Sequence, residues 1–471
     1  MNEFINACQT IVGAPHVLTK IEDQASYLQD WRQRAVGKAL AVILPASTSE
    51  VAQIVKLCAH HAVSIVPQGG NTGLVLGSIP DTSGDSIVLS LRRLNQIRQI
   101  DPSNNTMTVD AGCILAQVQN MANQADRLFP LSLASEGSCT VGGNLASNAG
   151  GTAVLRYGNM RELCLGLEVV DADGEIWDGL RGLRKDNTGY HLRELFIGSE
   201  GTLGIITGAV LKLFPKPRSQ TCCFAALSTV ENAISLLNLL QARFASQLTG
   251  FELINQFSLE LVHTHFPQFH RVFSQSSPYY LLLEISSHDT EETSRQRIEE
   301  AMTQALEQAL VLDVAIAQSL AQAQHFWILR ESISEAQAKQ GKNIKHDISL
   351  PISSIGNFIS ETALALQANF IGSQIVCFGH LGDGNLHYNI SPALDQDVLL
   401  FLEKQEAINR LVHDQVARFN GSISAEHGIG TLKKHELPRY KSALELAMML
   451  KIKKALDPHN RMNPGKIFED F

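Results

Sequence analysis

Two histidines flank a predicted turn between residues 379 and 389. The Asp-Gly pair at 383–384 separates two apolar runs, which predicts a β-hairpin. His387 and Asn389 then share a face of the returning strand, because residues two apart on a strand point the same way. His380 ends the incoming strand and can face them across the turn. Two imidazoles with one carboxylate would suit Zn²⁺ or a similar transition metal with an open coordination position.

The carboxylate candidate is Glu426, which is followed directly by His427. Glycines at 428 and 430 permit a tight backbone here. Each histidine taken alone could be a structural or exposed turn residue. The combination of two hairpin histidines with a Glu-His pair indicates a metal site instead.

A third group of residues has the chemistry to bind a carboxylate. Arg330 and Ser334 are four apart and share a face if their segment is helical. Arginine offers a planar fork that matches a carboxylate, and Lys345 would add a compact point charge. A solvated helix face with a pair at this spacing is the alternative interpretation.

Three glycine-rich loops precede residue 210, at 67–73, within 137–158 and at 198–204. Glycines let a backbone approach a ligand closely, and the N–H groups of such a loop can form an anion-binding concavity. Any one of the loops could be only a tight turn. Three of them predict a large phosphate-bearing cofactor.

The elements around the first loop do not form a Rossmann or P-loop unit. Ser47 and Glu50 have capping-box spacing, and apolar residues at helical spacing from Val51 predict a helix after them. Strands are predicted over 62–66 and 86–91. Glycine, proline and serine between the loop and the second strand exclude the helix that a Rossmann turn opens directly.

The second half of the chain has a different sequence pattern. Pro215-Lys-Pro217 marks a boundary, beyond which strand-like runs such as 279–285 alternate with polar helical stretches such as 291–310. This alternation is typical of an α+β domain.

Composition excludes several classes of protein. The 471 residues include 38 basic and 47 acidic ones, a net charge of −9 that argues against non-specific nucleic-acid binding. With 44% hydrophobic and 18% charged residues the chain can build a large core. No stretch approaches the ~20 apolar residues of a membrane span.

The N-terminal residues resemble neither a signal nor a transit peptide, so we expect a cytoplasmic protein. The eight cysteines are scattered without a CxxC pair, which predicts buried or incidental thiols.

The three loops resemble the flavin-binding segments of the vanillyl-alcohol-oxidase-type flavoproteins, and the resemblance runs from Asp30-Trp-Arg32 to Asn463-Pro-Gly-Lys466. It implies an α+β fold with a two-part FAD-binding domain and an α+β cap domain for the substrate. We expect the FAD domain over 1–217, the substrate domain over 218–423, and a C-terminal segment, 424–471, that returns to the FAD site.

The resemblance also implies which residues bind FAD. In members with covalently attached flavin a histidine follows the paired glycines; Asn71 stands there in this chain, so we expect non-covalent FAD. Leu76 replaces a glycine that is often found in this loop. The expected FAD-binding residues are Pro67, Gln68, Gly69, Gly70, Asn71, Thr72, Gly73, Leu74, Gly137, Ser138, Thr140, Gly143, Asn144, Asn148, Gly151, Glu200, Gly204, Ile205, Ile206 and Asn463.

Within that family the histidine, glutamate and arginine segments resemble the D-2-hydroxyacid dehydrogenases. The resemblance implies His380, His387 and Glu426 as metal ligands, with zinc the expected metal. Asn389 and His427 would face the substrate hydroxyl and its neighbouring carboxylate. A distal carboxylate would be held by Arg330, Ser334 and Lys345. Ser334 stands where threonine is common, and His346 where tyrosine is common.

The expected reaction is oxidation of a D-2-hydroxyacid, D-2-hydroxyglutarate above all, by hydride transfer to flavin N5 with His427 as general base. Lys345 favours a diacid, with D-lactate or another small D-2-hydroxyacid as the alternative. The electron acceptor, a quinone or an electron-transfer flavoprotein, and a homodimer are left open by the sequence. A flavin-free metallohydrolase would leave the loops unused, and a non-catalytic FAD- or metabolite-binding module would not need the metal ligands.

Overall fold

The computed structural model describes residues 2–393 and 396–469, and the chain divides into two units. The first unit comprises Met1–Gly150, Gly158–Lys216 and Glu426–Phe471. The second comprises Gly151–Tyr157 and Pro217–Ala425. The segment that carries Glu426 and His427 therefore belongs to the first unit.

Helices occur in both units. The α-helices are α1 (Asn2–Val12), α2 (Ile21–Leu28), α3 (Thr48–His61), α4 (Leu115–Gln124), α5 (Val141–Ala146), α6 (Val154–Tyr157), α7 (Met160–Leu163), α8 (Arg193–Phe196), α9 (Val230–Phe244), α10 (Gln256–His265), α11 (Glu291–Glu307), α12 (Leu320–Glu331), α13 (Ile333–Gln340), α14 (Ile355–Asn369), α15 (Val398–Leu402), α16 (Gln405–Arg418), α17 (Leu437–Tyr440) and α18 (Ala443–Leu456).

Among the described residues, the strands form three sheets in the first unit and one in the second. They are β1 (Val17–Leu18), β2 (Val42–Ile43), β3 (Ser64–Gln68), β4 (Ser86–Ser90), β5 (Ile97–Asp101), β6 (Thr106–Asp110), β7 (Arg127–Leu128), β8 (Cys164–Val170), β9 (Ile176–Gly179), β10 (Ile205–Lys212), β11 (Phe214–Pro215), β12 (Ser219–Leu227), β13 (Leu248–Asn255), β14 (Tyr279–Ser287), β15 (Asp313–Ile316), β16 (Asp347–Ser349), β17 (Gln374–His380) and β18 (Asn385–Ser391).

The first unit contains a four-stranded sheet in the order β1-β2-β4-β3 and a five-stranded sheet in the order β5-β6-β10-β8-β9, with a small pair, β11-β7. In the four-stranded sheet β2, β4 and β3 run parallel. The five-stranded sheet is antiparallel throughout.

The helix predicted after Ser47 is confirmed as α3. The Ser47 hydroxyl caps it by accepting the Glu50 N–H, and the Glu50 carboxylate accepts from Ala46. The four apolar residues at helical spacing, Val51, Ile54, Val55 and Cys58, are all buried.

The strand predicted over 62–66 lies two residues later, as β3, and continues through Pro67 instead of ending there. Proline has no N–H to donate. Among the described residues, the outer side of β3 has only an isolated bridge from Ile65 to Met462, so no donor is required at residue 67. The strand predicted over 86–91 is confirmed as β4. The described residues between the two strands contain no helix, as expected.

The second unit is built on a seven-stranded antiparallel sheet in the order β15-β12-β14-β13-β17-β18-β16. The predicted strand over 279–285 and helix over 291–310 are confirmed as β14 and α11. Apolar side chains from the sheet and from α10, α12 and α13 form a buried cluster that includes Phe224, Phe326 and Phe378. The predicted hairpin therefore belongs to a sheet that packs on a buried apolar cluster.

All eight cysteines are free and buried. Within the described ranges, no helix combines the length and the apolar content that crossing a bilayer requires.

Candidate functional site

The first glycine loop follows β3 and is held from below by two side chains. The buried Gln68 amide donates to the carbonyls of Tyr27 and Ser78, each at 2.9 Å. Asn71, in the left-handed region at φ 57°, donates to the Gln29 carbonyl at 2.9 Å and accepts from the Ser78 hydroxyl at 2.9 Å. These bonds fix the loop, and Asn71 provides no imidazole for a covalent flavin link.

The backbone N–H groups of residues 69–73 are available to an external acceptor. Within the residues that the structure describes, no protein oxygen accepts a hydrogen bond from these five groups. A run of such groups needs water or a ligand to satisfy it. The loop could therefore accommodate an anionic group such as the pyrophosphate of FAD.

The first and second loops touch through their backbones. A Cβ at Gly69 would lie 2.3 Å from the Thr140 hydroxyl, and one at Gly70 would lie 2.1 Å from the Ser138 carbonyl. Gly73 has the opposite property, because a Cβ there would meet nothing within 4 Å. The paired glycines are thus needed for contact between the loops, and Gly73 leaves open space.

The third loop is tied to the C-terminal segment. The Glu200 carboxylate accepts the N–H groups of Ile429 and Gly430 at 2.7 and 2.8 Å. Desolvation raises the pKa of Glu200, although these two donors act against the rise. The buried Asn463 amide donates to the carbonyls of Glu200 and Gly77. Asn463, predicted to bind FAD, thus braces two of the loops.

The three loops line one pocket of the first unit, and His427 lies on its wall. The predicted residues that line it are Pro67, Gln68, Gly69, Gly70, Asn71, Thr72, Gly73, Thr140, Gly143, Asn144, Glu200, Gly204, Ile205 and Ile206. The predicted residues outside its lining are Leu74, Gly137, Ser138, Asn148, Gly151 and Asn463. Gly151 belongs to the second unit.

Sequence reasoning missed part of the pocket wall. Leu91 and Ala111, which follow β4 and β6, line it without belonging to a glycine motif. Ser147, after α5, lies within the second loop but is not among the predicted residues. The end of a strand is the only signal that could have found the first two. Leu76, the departure noted in the first loop, has φ 62°, a left-handed conformation that costs a leucine energy and that glycine adopts freely.

In the second unit the predicted hairpin is confirmed. β17 and β18 pair antiparallel with Phe378 opposite His387, and residues 381–384 form the turn. The rings of His380 and His387 have centroids 6.0 Å apart. The structure therefore brings these two predicted metal ligands together.

A buried glutamate that sequence reasoning missed connects His380 to Arg330. The Glu252 carboxylate, fully buried on β13, lies 2.5 Å from His380 Nδ1, and its other oxygen accepts from Arg330 Nε and Nη2 at 2.9 and 2.8 Å. Burial alone would raise the pKa of Glu252, but the charges and hydrogen bonds of His380 and Arg330 lower it to about 2. The carboxylate is therefore ionised.

This ion pair sets what the two partners can do. With Nδ1 directed at a carboxylate, His380 can coordinate a metal only through Nε2. Arg330 has two of its nitrogens on Glu252 and packs over the Phe378 ring at 4.8 Å, so Nη1 is the nitrogen left for a substrate. The signal for Glu252 in the sequence is a single charged residue inside the apolar strand Leu248–Asn255.

A second missed carboxylate, Asp347, lies opposite His387 on the neighbouring strand β16. Its Oδ1 is 3.8 Å from His387 Nδ1 and accepts from the Asn385 amide at 2.9 Å. The turn residue Asp383 is also close to His380, and burial raises the pKa of Asp383 to about 6. The hairpin thus has more carboxylates around its histidines than the predicted ligand set included.

The predicted substrate-binding residues differ in how far they are buried. Asn389 is buried, with its amide donating to Gln337 and accepting the N–H of His346. Lys345 is exposed, just before β16. Ser334 is exposed on α13, and a break at Ser332 separates it from the helix of Arg330, so the expected continuous helix face does not form.

Glu426 and His427 are both half-buried, on the segment of the first unit that begins directly after Ala425. The donor types of the hairpin fit a transition metal, because it offers two imidazoles, each with a carboxylate beside its Nδ1.

Comparison with protein families gives two matches. Residues 216–467 match the C-terminal domain of FAD linked oxidases, and residues 39–179 match an FAD binding domain. Together they cover most of both units.

Among curated proteins, the chain is 39% identical to a mitochondrial D-2-hydroxyglutarate dehydrogenase of Arabidopsis thaliana, over 97% of this chain and 80% of the relative. It is 39% identical to a D-2-hydroxyglutarate dehydrogenase of Xanthomonas citri, over 99% and 97%. A putative mitochondrial D-lactate dehydrogenase of Schizosaccharomyces pombe is 36% identical over 93% and 83%.

Solved structures share the fold. p-Cresol methylhydroxylase matches with a TM-score of 0.77 and 16% identity, over 100% of this chain and 98% of that one. The 4-ethylphenol oxidase of Gulosibacter chungangensis matches with a TM-score of 0.72 and 16% identity, over 99% and 97%. The predicted fold class, α+β of the vanillyl-alcohol-oxidase type, is confirmed.

We expect Glu252→Gln to destabilise the second unit by about 3 kcal/mol, because it leaves Arg330 as a buried charge without a counter-charge. Denaturant unfolding would measure this. Glu335→Gln, which removes an exposed pair with Lys339, is the control and should change the free energy of unfolding by less than about 0.5 kcal/mol.

The same ion pair predicts a pH dependence. The lowered pKa of Glu252 gives stability that is present above the pKa of an unfolded glutamate and is lost as the pH falls toward 2. The difference between wild type and Glu252→Gln should shrink over that range. A constant difference across the range would contradict the ionised state of Glu252.

Proposed function

We propose that this chain, which belongs to the FAD-linked oxidases and is an FAD-dependent oxidoreductase, oxidises D-2-hydroxyglutarate to the 2-oxoacid. The observation that carries the proposal is the position of His427 on the wall of the loop-lined pocket. That position would place a titratable imidazole beside the cofactor. The two relatives at 39% identity support the choice of substrate.

The contacts above support the following residues for the two cofactors. FAD would lie non-covalently against residues 67–73 and the second and third loops. A divalent metal, zinc in this proposal, would be held by His380 through Nε2, by His387 and by Glu426. When bound, FAD would supply the acceptor for the C2 hydride, and the metal would supply a Lewis acid that lowers the pKa of the substrate hydroxyl.

His427 is proposed as the general base that takes the hydroxyl proton, since an imidazole titrates near neutral pH. The substrate carries two carboxylates, which an acidic chain would repel without local cations. Arg330, through Nη1, and Lys345 supply positive charge, with Ser334 as a further donor to the distal carboxylate. Asn389, ordered by Gln337, would face the reacting end.

The test is anaerobic mixing of the purified protein with D- and L-2-hydroxyglutarate while the visible absorbance of the flavin is followed. We expect bleaching by the D-isomer alone, because fixed carboxylates present one face of C2. A chelator should abolish the bleaching, and added Zn²⁺ should restore it. A colourless protein would contradict FAD binding, and bleaching that survives chelation would contradict the metal.

We expect His427→Ala to lower the rate of flavin reduction by about 10²- to 10⁴-fold with FAD still bound, because the hydroxyl proton loses its acceptor. Stopped-flow absorbance measures both the rate and the FAD content. His435→Ala, an exposed histidine of the same unit, is the control and should reduce at the wild-type rate. A normal rate in His427→Ala would remove it from the role of base.

D-Lactate is the second candidate substrate, favoured by the similarity to the Schizosaccharomyces pombe protein. We expect Lys345→Ala to raise KM for D-2-hydroxyglutarate by about tenfold and to leave D-lactate unchanged, because only the diacid has a distal carboxylate. Lys342→Ala, also exposed on this segment, is the control. Better reduction of the wild type by D-lactate would make it the substrate.

A further inference from the structure

Helix α18 in the first unit has apolar residues on both sides: Leu446, Met449, Leu450 and Leu456 are half-buried, and three others are exposed. Leu444, Met448 and Ile452 are 70%, 55% and 37% exposed, whereas the buried residue of this helix is Lys453. A helix on the surface of a globular protein normally shows the reverse pattern. Packing within the chain therefore does not explain these three residues.

The inner side of α18 is fixed by that lysine. Lys453 Nζ donates to the Asp457 carboxylate at 2.5 Å and to the carbonyls of Thr202 and Met462, each at 2.9 Å. Asp457 also accepts the N–H groups of Arg461 and Met462. With the helix held in this orientation, its opposite side must face outward.

The exposed residues form one continuous face. Leu444, Met448 and Ile452 follow each other at four-residue spacing, with the exposed Lys451 on one flank, at i+7 from the first of them. The exposed Glu445 lies on the other flank, where it is paired with Lys441. We call Leu444, Met448, Ile452 and Lys451 the α18 face.

The surrounding segment is basic although the chain is acidic. Residues 430–461 contain eight lysines and arginines and three acidic residues, a net charge of +5, in a chain whose total is −9. Lys451 adds positive charge beside the apolar side chains of the α18 face, and interfacial helices combine these two features at anionic lipid.

We propose that the α18 face docks on the surface of an anionic phospholipid bilayer. Leu444, Met448 and Ile452 enter the boundary between headgroups and acyl chains, and the lysine ammonium meets the phosphates above it. This is peripheral attachment and needs no membrane-crossing helix. The inference goes beyond the proposed function and does not depend on which acid the enzyme oxidises.

Charge favours lipid over a second copy of the chain. A two-fold dimer would place the α18 face against itself and bring the basic segments of two protomers together. An anionic surface instead attracts the basic segment while the acidic remainder of the chain is repelled. The docking direction is thereby fixed with α18 toward the lipid.

The test is co-sedimentation of the FAD-loaded full chain with phosphatidylglycerol–phosphatidylcholine vesicles and with pure phosphatidylcholine vesicles. We expect binding to the anionic vesicles only, weakened by 1 M salt because the Debye length there is about 3 Å. The combined variant Leu444→Ser, Met448→Ser, Ile452→Ser should bind at least about tenfold more weakly. Lys451→Glu should also bind more weakly.

Matched controls come from other exposed residues. Leu364→Ser with Ile371→Ser removes 73%- and 86%-exposed apolar side chains of the second unit, and Lys20→Glu reverses an exposed charge at the N-terminus of α2. Both controls should bind as the wild type does. Flavin absorbance and the unfolding midpoint check that each variant is folded. If the serine variant does not fold, Lys451→Glu decides.

Three results would overturn the proposal. One is equal binding to anionic and neutral vesicles, or no binding to either. Another is unchanged binding of folded α18 variants. The third is a dimer in light scattering that the serine variant dissociates while vesicles do not bind, which would assign the face to a second copy of the chain.

Discussion

A buried charge must have a partner, and this constraint organises both units. In the second unit the Glu252 carboxylate holds Arg330 from α12 and His380 from β17. In the first, Lys453 of α18 holds Asp457 and the carbonyl of Thr202 in the third loop. An unpaired ion in either place would cost several kcal/mol, so elements distant in sequence are fixed against one another.

The partners of Glu252 are the residues on which the proposed chemistry depends. A carboxylate on Nδ1 fixes the orientation of the His380 ring, so that Nε2 is the nitrogen presented to a ligand. The same carboxylate neutralises Arg330, so the positive charge of the proposed substrate site would depend more on the exposed Lys345 than the sequence indicates. The ion pair of Glu252 and Arg330 would therefore affect both the stability of the second unit and the binding of the proposed ligands.

The flavin pocket depends on backbone rather than on side-chain charge. Five N–H groups of the first loop face an external acceptor, while Gln68 and Asn71 fix the loop from beneath. The second loop approaches so closely that Cβ atoms at Gly69 and Gly70 would collide with it. A phosphate-bearing cofactor can be held in this way by a chain with a net charge of −9.

The sequence by itself determined the local elements, because caps, turns and apolar periodicity act over a few residues. α3 after Ser47, the hairpin around 383–384 and the absence of a Rossmann helix after the first loop could all be read from it. The tertiary structure alone decided which distant groups meet. Glu252 and Asp347 join the histidines through strand pairing, and a break at Ser332 separates Ser334 from Arg330. Such pairings depend on sheet order, which has no local signal.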